Sequence, residues 1–121
     1  MPKPSRDPAT LLPLSEAVFQ LLLALADEDR HGYGIMQEVE DRTGGRIRLG
    51  PGTLYGAIKR LREQGLLEET EAEMDPDGDE RRRYYRLTGF GREVAVLEAK
   101  RLERLLDAAR RKQLLPQTGA A

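Results

Sequence analysis

With 121 residues the chain has room for one compact domain. It holds no cysteine, one histidine and two serines, which removes disulfides, thiol nucleophiles and cysteine-built zinc sites, so no enzyme activity, metal or cofactor is expected. Its 20 basic and 21 acidic residues give a net charge of −1, a balance that taken alone argues against a nucleic-acid partner. No apolar run approaches the roughly 20 residues of a membrane-spanning helix. Met1 to Thr10 carries no signal-peptide apolar core and reads as a disordered lead-in extending to about residue 12.

In chain order, Ser15 is a good helix N-cap, and Glu16 opens an apolar helix through Val18, Phe19, Leu21 to Leu23, Leu25 and Ala26. The polar break Asp27 to Arg30 follows. His31 is expected to cap a second helix over Gly32 to Thr43, with Ile35, Met36 and Val39 as its inner face and Gly44-Gly45 as its stop. Arg46-Ile47-Arg48-Leu49 alternates with period two and predicts a short strand. Pro51 suits the first turn of a third helix, which runs to Gln64 and halts at Gly65. Leu66 and Leu67 open a strand toward Glu73, Asp75-Pro76-Asp77-Gly78 is turn chemistry, and Arg81 to Leu87 returns as the second strand of a hairpin. The aspartates of that turn do not make a calcium loop, because the sixth and twelfth positions are Glu80 and Arg86. A long last helix begins at Thr88 or Gly89 and ends near Leu115.

The charge is arranged in blocks. Residues 1–45 carry −4; residues 46–67 carry +4 through Arg46, Arg48, Lys59, Arg60 and Arg62 against Glu63 alone. Residues 68–80 hold eight acids and no base, and residues 81–87 hold Arg81, Arg82, Arg83 and Arg86 with no acid. Two basic segments thus flank one acidic segment.

On the third helix, Leu54, Ala57, Ile58 and Leu61 share the face that must pack inward. Gly52, Gly56, Lys59 and Glu63 lie opposite, flanked by Tyr55 and Arg62 on one side and by Thr53 and Arg60 on the other. Small residues with Thr, Lys and Arg suit close approach to a major groove; the plain alternative is a solvated face with tolerated glycines. Alternation along Arg81-Arg82-Arg83-Tyr84-Tyr85-Arg86 sends one tyrosine inward and leaves arginines for phosphate or a minor groove. The plain alternative there is pairing with Glu68, Glu69, Glu71 and Glu73 across the hairpin.

His31-Gly32-Tyr33-Gly34, Gly52-Thr53-Leu54-Tyr55, Leu61 through Gly65-Leu66-Leu67, and Arg83-Tyr84-Tyr85-Arg86-Leu87-Thr88 with Gly91 form an ordered set that resembles the PadR family of bacterial transcriptional regulators, of the short type with one C-terminal helix. The resemblance covers about residues 14–110. It implies a mainly α fold with a small β-hairpin: a winged helix-turn-helix over residues 13–88, a dimerisation helix over 89–115 and a disordered tail over 116–121. It further implies a cytoplasmic homodimeric repressor on palindromic double-stranded DNA, released in many members by a small-molecule effector. Carried over, Tyr33, Thr53, Tyr55 and Lys59 fall where members approach DNA, and Arg81, Arg82 and Arg83 fall at the wing. With Gly52, Gly56 and Arg60 these make the expected DNA-binding set.

Val94, Leu97, Leu102, Leu105, Leu106 and Ala109, with Arg101 among them, form the expected dimer stripe on the last helix. A two-fold dimer would set two third helices about 34 Å or a multiple apart. The same helix could instead pack on the first helix of its own chain. The rival function is a winged-helix module for a protein partner, with the acidic hairpin as the contact; salt dependence of duplex binding separates the two.

Overall fold

A computed structural model of the chain describes residues 6–70 and 83–116. Helix α1 spans Glu16–Ala24, and its Ser15 cap accepts a hydrogen bond from the Val18 N–H at 3.2 Å. Strand β1 is the pair Arg30–His31, held by Arg30, whose Nε donates to the Ala24 carbonyl at 2.6 Å and whose guanidinium also holds Asp27 and Glu28. Helix α2 spans Gly32–Arg42; as expected, His31 caps it, its Nδ1 accepting from the Gly34 N–H at 3.0 Å. Helix α3 spans Pro51–Glu63 with proline in its first turn, and it stops at Gly65, whose φ of 79° lets the Leu66 N–H return to the Leu61 carbonyl at 2.9 Å. Strands β2 (Leu67–Thr70) and β3 (Tyr84–Leu87) pair antiparallel, with Glu68 opposite Arg86 and Glu69 opposite Tyr85. Helix α4 spans Gly89–Arg111.

The three strands form one sheet in the order β1-β3-β2. Two expectations are corrected here. The third strand is not Arg46 to Leu49 but Arg30–His31, which takes the free edge of β3 through Arg30–Tyr85 and His31–Tyr84. Residues 46–49 are a loop instead: the Thr43 hydroxyl accepts from the Ile47 N–H at 3.1 Å, and Ile47 and Leu49 peg the loop to the core while Arg46 and Arg48 turn out to Glu16 and Glu40. Their period of two reports pegging, not pairing. The disordered lead-in is corrected over Pro8–Leu11, a 3-10 turn capped by Asp7 and packed on α4. The strand extension to Glu73, the turn at residues 75–78, Arg81, Arg82 and residues 1–5 and 117–121 lie outside the described residues.

The core runs from Leu21, Leu22 and Leu25 of the α1 region through Ile35 and Val39 of α2 to Leu54, Ile58 and Leu61 of α3, closed by Leu66, Leu67, Tyr85 and Val94. One junction fixes the last helix to it. The Thr88 hydroxyl donates to the Gly65 carbonyl at 2.5 Å and accepts from the Gly91 N–H at 2.9 Å, while the Thr88 N–H donates to the Leu66 carbonyl at 3.1 Å. A Cβ on Gly91 would lie 2.0 Å from that same Leu66 carbonyl oxygen, so the helix can sit this close only with glycine there. Gly91→Ala should therefore cost about 1–3 kcal/mol in denaturant unfolding at fixed protein concentration. Gly89→Ala, where a Cβ meets nothing within 4 Å, should change stability little. Equal midpoints for the two variants would contradict this packing.

Candidate nucleic-acid interface

Burial of Leu54, Ala57, Ile58 and Leu61 turns the rest of α3 outward. Gly52, Thr53, Lys59 and Arg60 are exposed, and Gly56 is half-buried. A Cβ at Gly52 would meet nothing within 4 Å, and one at Gly56 only the tip of Arg60 at 3.8 Å. Neither glycine is required by packing among the described residues, although glycine in a helix interior costs about 0.8–1.0 kcal/mol relative to alanine. Lys59 and Arg60 have no carboxylate partner among the described residues. The result is a bare, locally cationic surface beginning at a helix N-terminus, where backbone N–H groups also face out.

Tyr33 stands on the first turn of α2 and is 64% exposed. Its ring stacks on His31 at 6.3 Å between centroids, and His31 meets Tyr84 edge-on at 5.3 Å. Tyr55 is only half available. A Cβ on Gly32 would lie 2.3 Å from the Tyr55 phenol oxygen, so Gly32 lets this ring close over the start of α2. Tyr55 therefore docks α3 against α2 with one edge and faces out with the other.

On the wing, Tyr85 is the tyrosine that packs inward; burial, followed by the nearby Glu69 carboxylate, pushes its phenol above the ordinary tyrosine range. The expected cross-hairpin pairing is present. Arg86 holds Glu68 at 3.0 Å, and Arg83 holds Glu69 at 3.4 Å. Glu69 also takes Arg62 of α3 at 3.3 Å, a contact absent from the expected site. Alternation could have pointed to it, since Leu67 faces in, Glu68 faces out and Glu69 faces in again. Of the expected wing cations, Arg83 alone lies among the described residues; Arg81 and Arg82 do not.

The expected dimer stripe divides in two. Val94 is 0% exposed and belongs to the core of its own chain, which corrects its assignment to a subunit interface. Leu97, Leu102 and Ala109 are half-buried, whereas every residue from Glu103 to Asp107 is exposed, Leu105 at 56%. Arg101 is explained by a residue the sequence did not flag: Glu98, 2% exposed, accepts from Arg101 Nε and Nη2 at 2.8 Å each. This bidentate pair, helped by the Leu14 backbone, holds the Glu98 carboxyl below the ordinary range in spite of its burial.

The family model for the transcriptional regulator PadR-like family matches residues 21–96. The chain belongs to this family. Among curated relatives, this PadR-like chain is 40% identical over 91 residues to an uncharacterised 37.1 kDa protein in transposon Tn4556 of Streptomyces fradiae, covering 75% of this chain. It is 38% identical over 80 residues to a transcriptional regulator of Mycobacterium tuberculosis, covering 66% of this chain and 69% of that one. It spans 24% of the length of the transposon protein and 64% of an uncharacterised protein of Lysinibacillus sphaericus. A PadR family transcription regulator from Clostridium difficile superposes with a TM-score of 0.66 at 23% identity, over 82% of this chain and 99% of that one. That likeness is one of fold, and it establishes the winged-helix arrangement. No helix among the described residues is long and apolar enough to cross a membrane.

Because the folded-state pKa of Glu98 is depressed, its contribution to stability is complete above the unfolded carboxylate pKa and is lost as pH falls through the folded value. Denaturant unfolding between about pH 5 and pH 3 should show a component of acid destabilisation that Glu98→Gln removes. An identical pH dependence in the two proteins would contradict the pairing.

Proposed function

We propose that this PadR-like chain is a cytoplasmic homodimeric repressor that binds palindromic operator DNA, with α3 in the major groove and the β2–β3 wing along the flanking backbone. The outward face of α3 carries this reading. No contact among the described residues demands the two glycines there, and they leave space beside Lys59 and Arg60, which have no carboxylate partner among those residues. Thr53, Gly52 and Tyr33 extend the same contact. The relative in Mycobacterium tuberculosis that is named a transcriptional regulator supports the regulatory role. The exposed turn of α4 carrying Leu105 and Leu106 supports pairing with a second copy, because nothing among the described residues covers those side chains. Release by a small-molecule effector rests on family membership alone.

Titration of genomic or randomised duplexes across salt tests the reading. Affinity should fall linearly in log[salt], and Lys59→Ala should lower the slope by about one unit. Gly56→Ala should separate stability from binding: it should stabilise the fold by up to about 1 kcal/mol while weakening the duplex complex. Absence of binding to any duplex at about 50–100 mM salt would favour a protein partner instead. A stable monomer in light scattering at micromolar concentration would overturn the dimer.

A further inference from the structure

Glu69 stands where the two DNA-facing elements meet. Its two carboxylate oxygens are shared out, Oε2 to Arg62 of α3 at 3.3 Å and Oε1 to Arg83 at the start of β3 at 3.4 Å. Both distances exceed the 2.7–2.9 Å typical of a tight charge-assisted hydrogen bond, and both guanidiniums are largely open to solvent. A backbone phosphodiester, with its single negative charge, can therefore compete for either arginine. Glu68, by contrast, holds Arg86 at 3.0 Å on the outer side of the hairpin. The groove between α3 and β2, about 530 Å³, is lined by Lys59, Arg62, Glu63, Leu67, Glu68 and Glu69. Lys59 and Arg62 thus share this groove with three carboxylates.

We propose that Glu69 is an internal competitor of the DNA backbone, holding Arg62 and Arg83 in one bridge that a phosphate must displace. The proposal rests on the DNA-binding reading above and adds a limit to it. In the free protein the carboxylate does for both arginines what phosphate does in the complex. On binding, the arginines change partner and the carboxylate is left beside the backbone, at a cost that applies to every duplex whatever its sequence. Glu69 thus lowers the sequence-independent part of the affinity, the part that would otherwise scatter the protein over the many non-specific sites of a genome. It is a positioning and affinity-limiting residue that touches DNA only through the arginines it holds.

The test compares wild type, Glu69→Gln and the control Glu93→Gln on a mixed-sequence duplex about 30 base pairs long, some three helical turns. Glu93 is an exposed acid on α4, outside the turn proposed for pairing, so its variant measures the general effect of one charge. Glu69→Gln should bind roughly three- to tenfold more tightly than the control at about 0.15 M salt, with a salt slope steeper by about one unit. Adding Arg62→Gln and Arg83→Gln to Glu69→Gln should abolish both gains. Should Glu69→Gln fail to fold by circular dichroism, Glu69→Ala, which leaves no polar group in the half-buried position, carries the same expectation. Equal affinity and slope for the Glu69 and Glu93 variants, or gains that survive loss of both arginines, would overturn the proposal while leaving DNA binding intact. Failure of the wild type and every variant to bind at low salt would overturn the DNA reading, and this inference with it.

Discussion

The structure depends on α3 being used on both sides. Leu54, Ala57, Ile58 and Leu61 bury one face in the core shared with α1, α2 and β2, and this burial orients everything the opposite face presents. The same helix, stopped by Gly65, delivers the Leu66 carbonyl to Thr88, and the bare backbone of Gly91 lets α4 lie against it. The wing hangs from that junction, because β2 begins at Leu67 and β3 ends at Leu87. A change that moved α3 would move the wing and the last helix with it. The stiffness of the proposed reading head is therefore a property of core packing, and its chemistry is free to be small and polar.

The net charge of −1 described an average, and the structure shows what it averages. Arg46, Arg48, Arg62, Arg83 and Arg86 are all matched by carboxylates from neighbouring elements, at Glu16, Glu40, Glu69, Glu69 and Glu68. Such exposed pairs add little to stability, but they decide which cations are left over. On the face of α3 that the glycines keep clear, Lys59 and Arg60 have no carboxylate partner among the described residues. This face of α3 is thus locally cationic although the chain as a whole carries a net charge of only −1.

The helices and the wing were legible because local rules specify them. Ser15, His31, Pro51, Gly65 and Thr88 each mark a helix end by a cap, a first-turn proline or a left-handed stop, and the apolar spacing on α3 gave its buried face without error. What stayed hidden was set by partners distant in sequence. Strand β1 is two residues long and exists only because β3 has a free edge beside it; no alternation announces it. Val94 fits the periodicity of an interface stripe, yet it faces its own core, because one side of α4 serves the core along its first half and is bare along the next turns. Glu98 reads as an ordinary surface acid until Arg101 and the segment around Leu14 close over it. Glu69 is visible as a hairpin acid, but its link to Arg62 depends on how the sheet lies against α3.

The central claim is that the outward face of α3 is the reading surface. Amide-resolved NMR of the labelled protein, titrated with the tightest duplex from a selection on random sequences, tests it most directly. The account predicts that shifts and slowed hydrogen exchange gather at Gly52, Thr53, Gly56, Lys59 and Arg60, with a second group at Tyr33 and Arg83. The turn of α4 around Leu105 and Leu106 should be unaffected. A titration that left the α3 amides in place and moved those of α4 or the N-terminal turn would contradict the account.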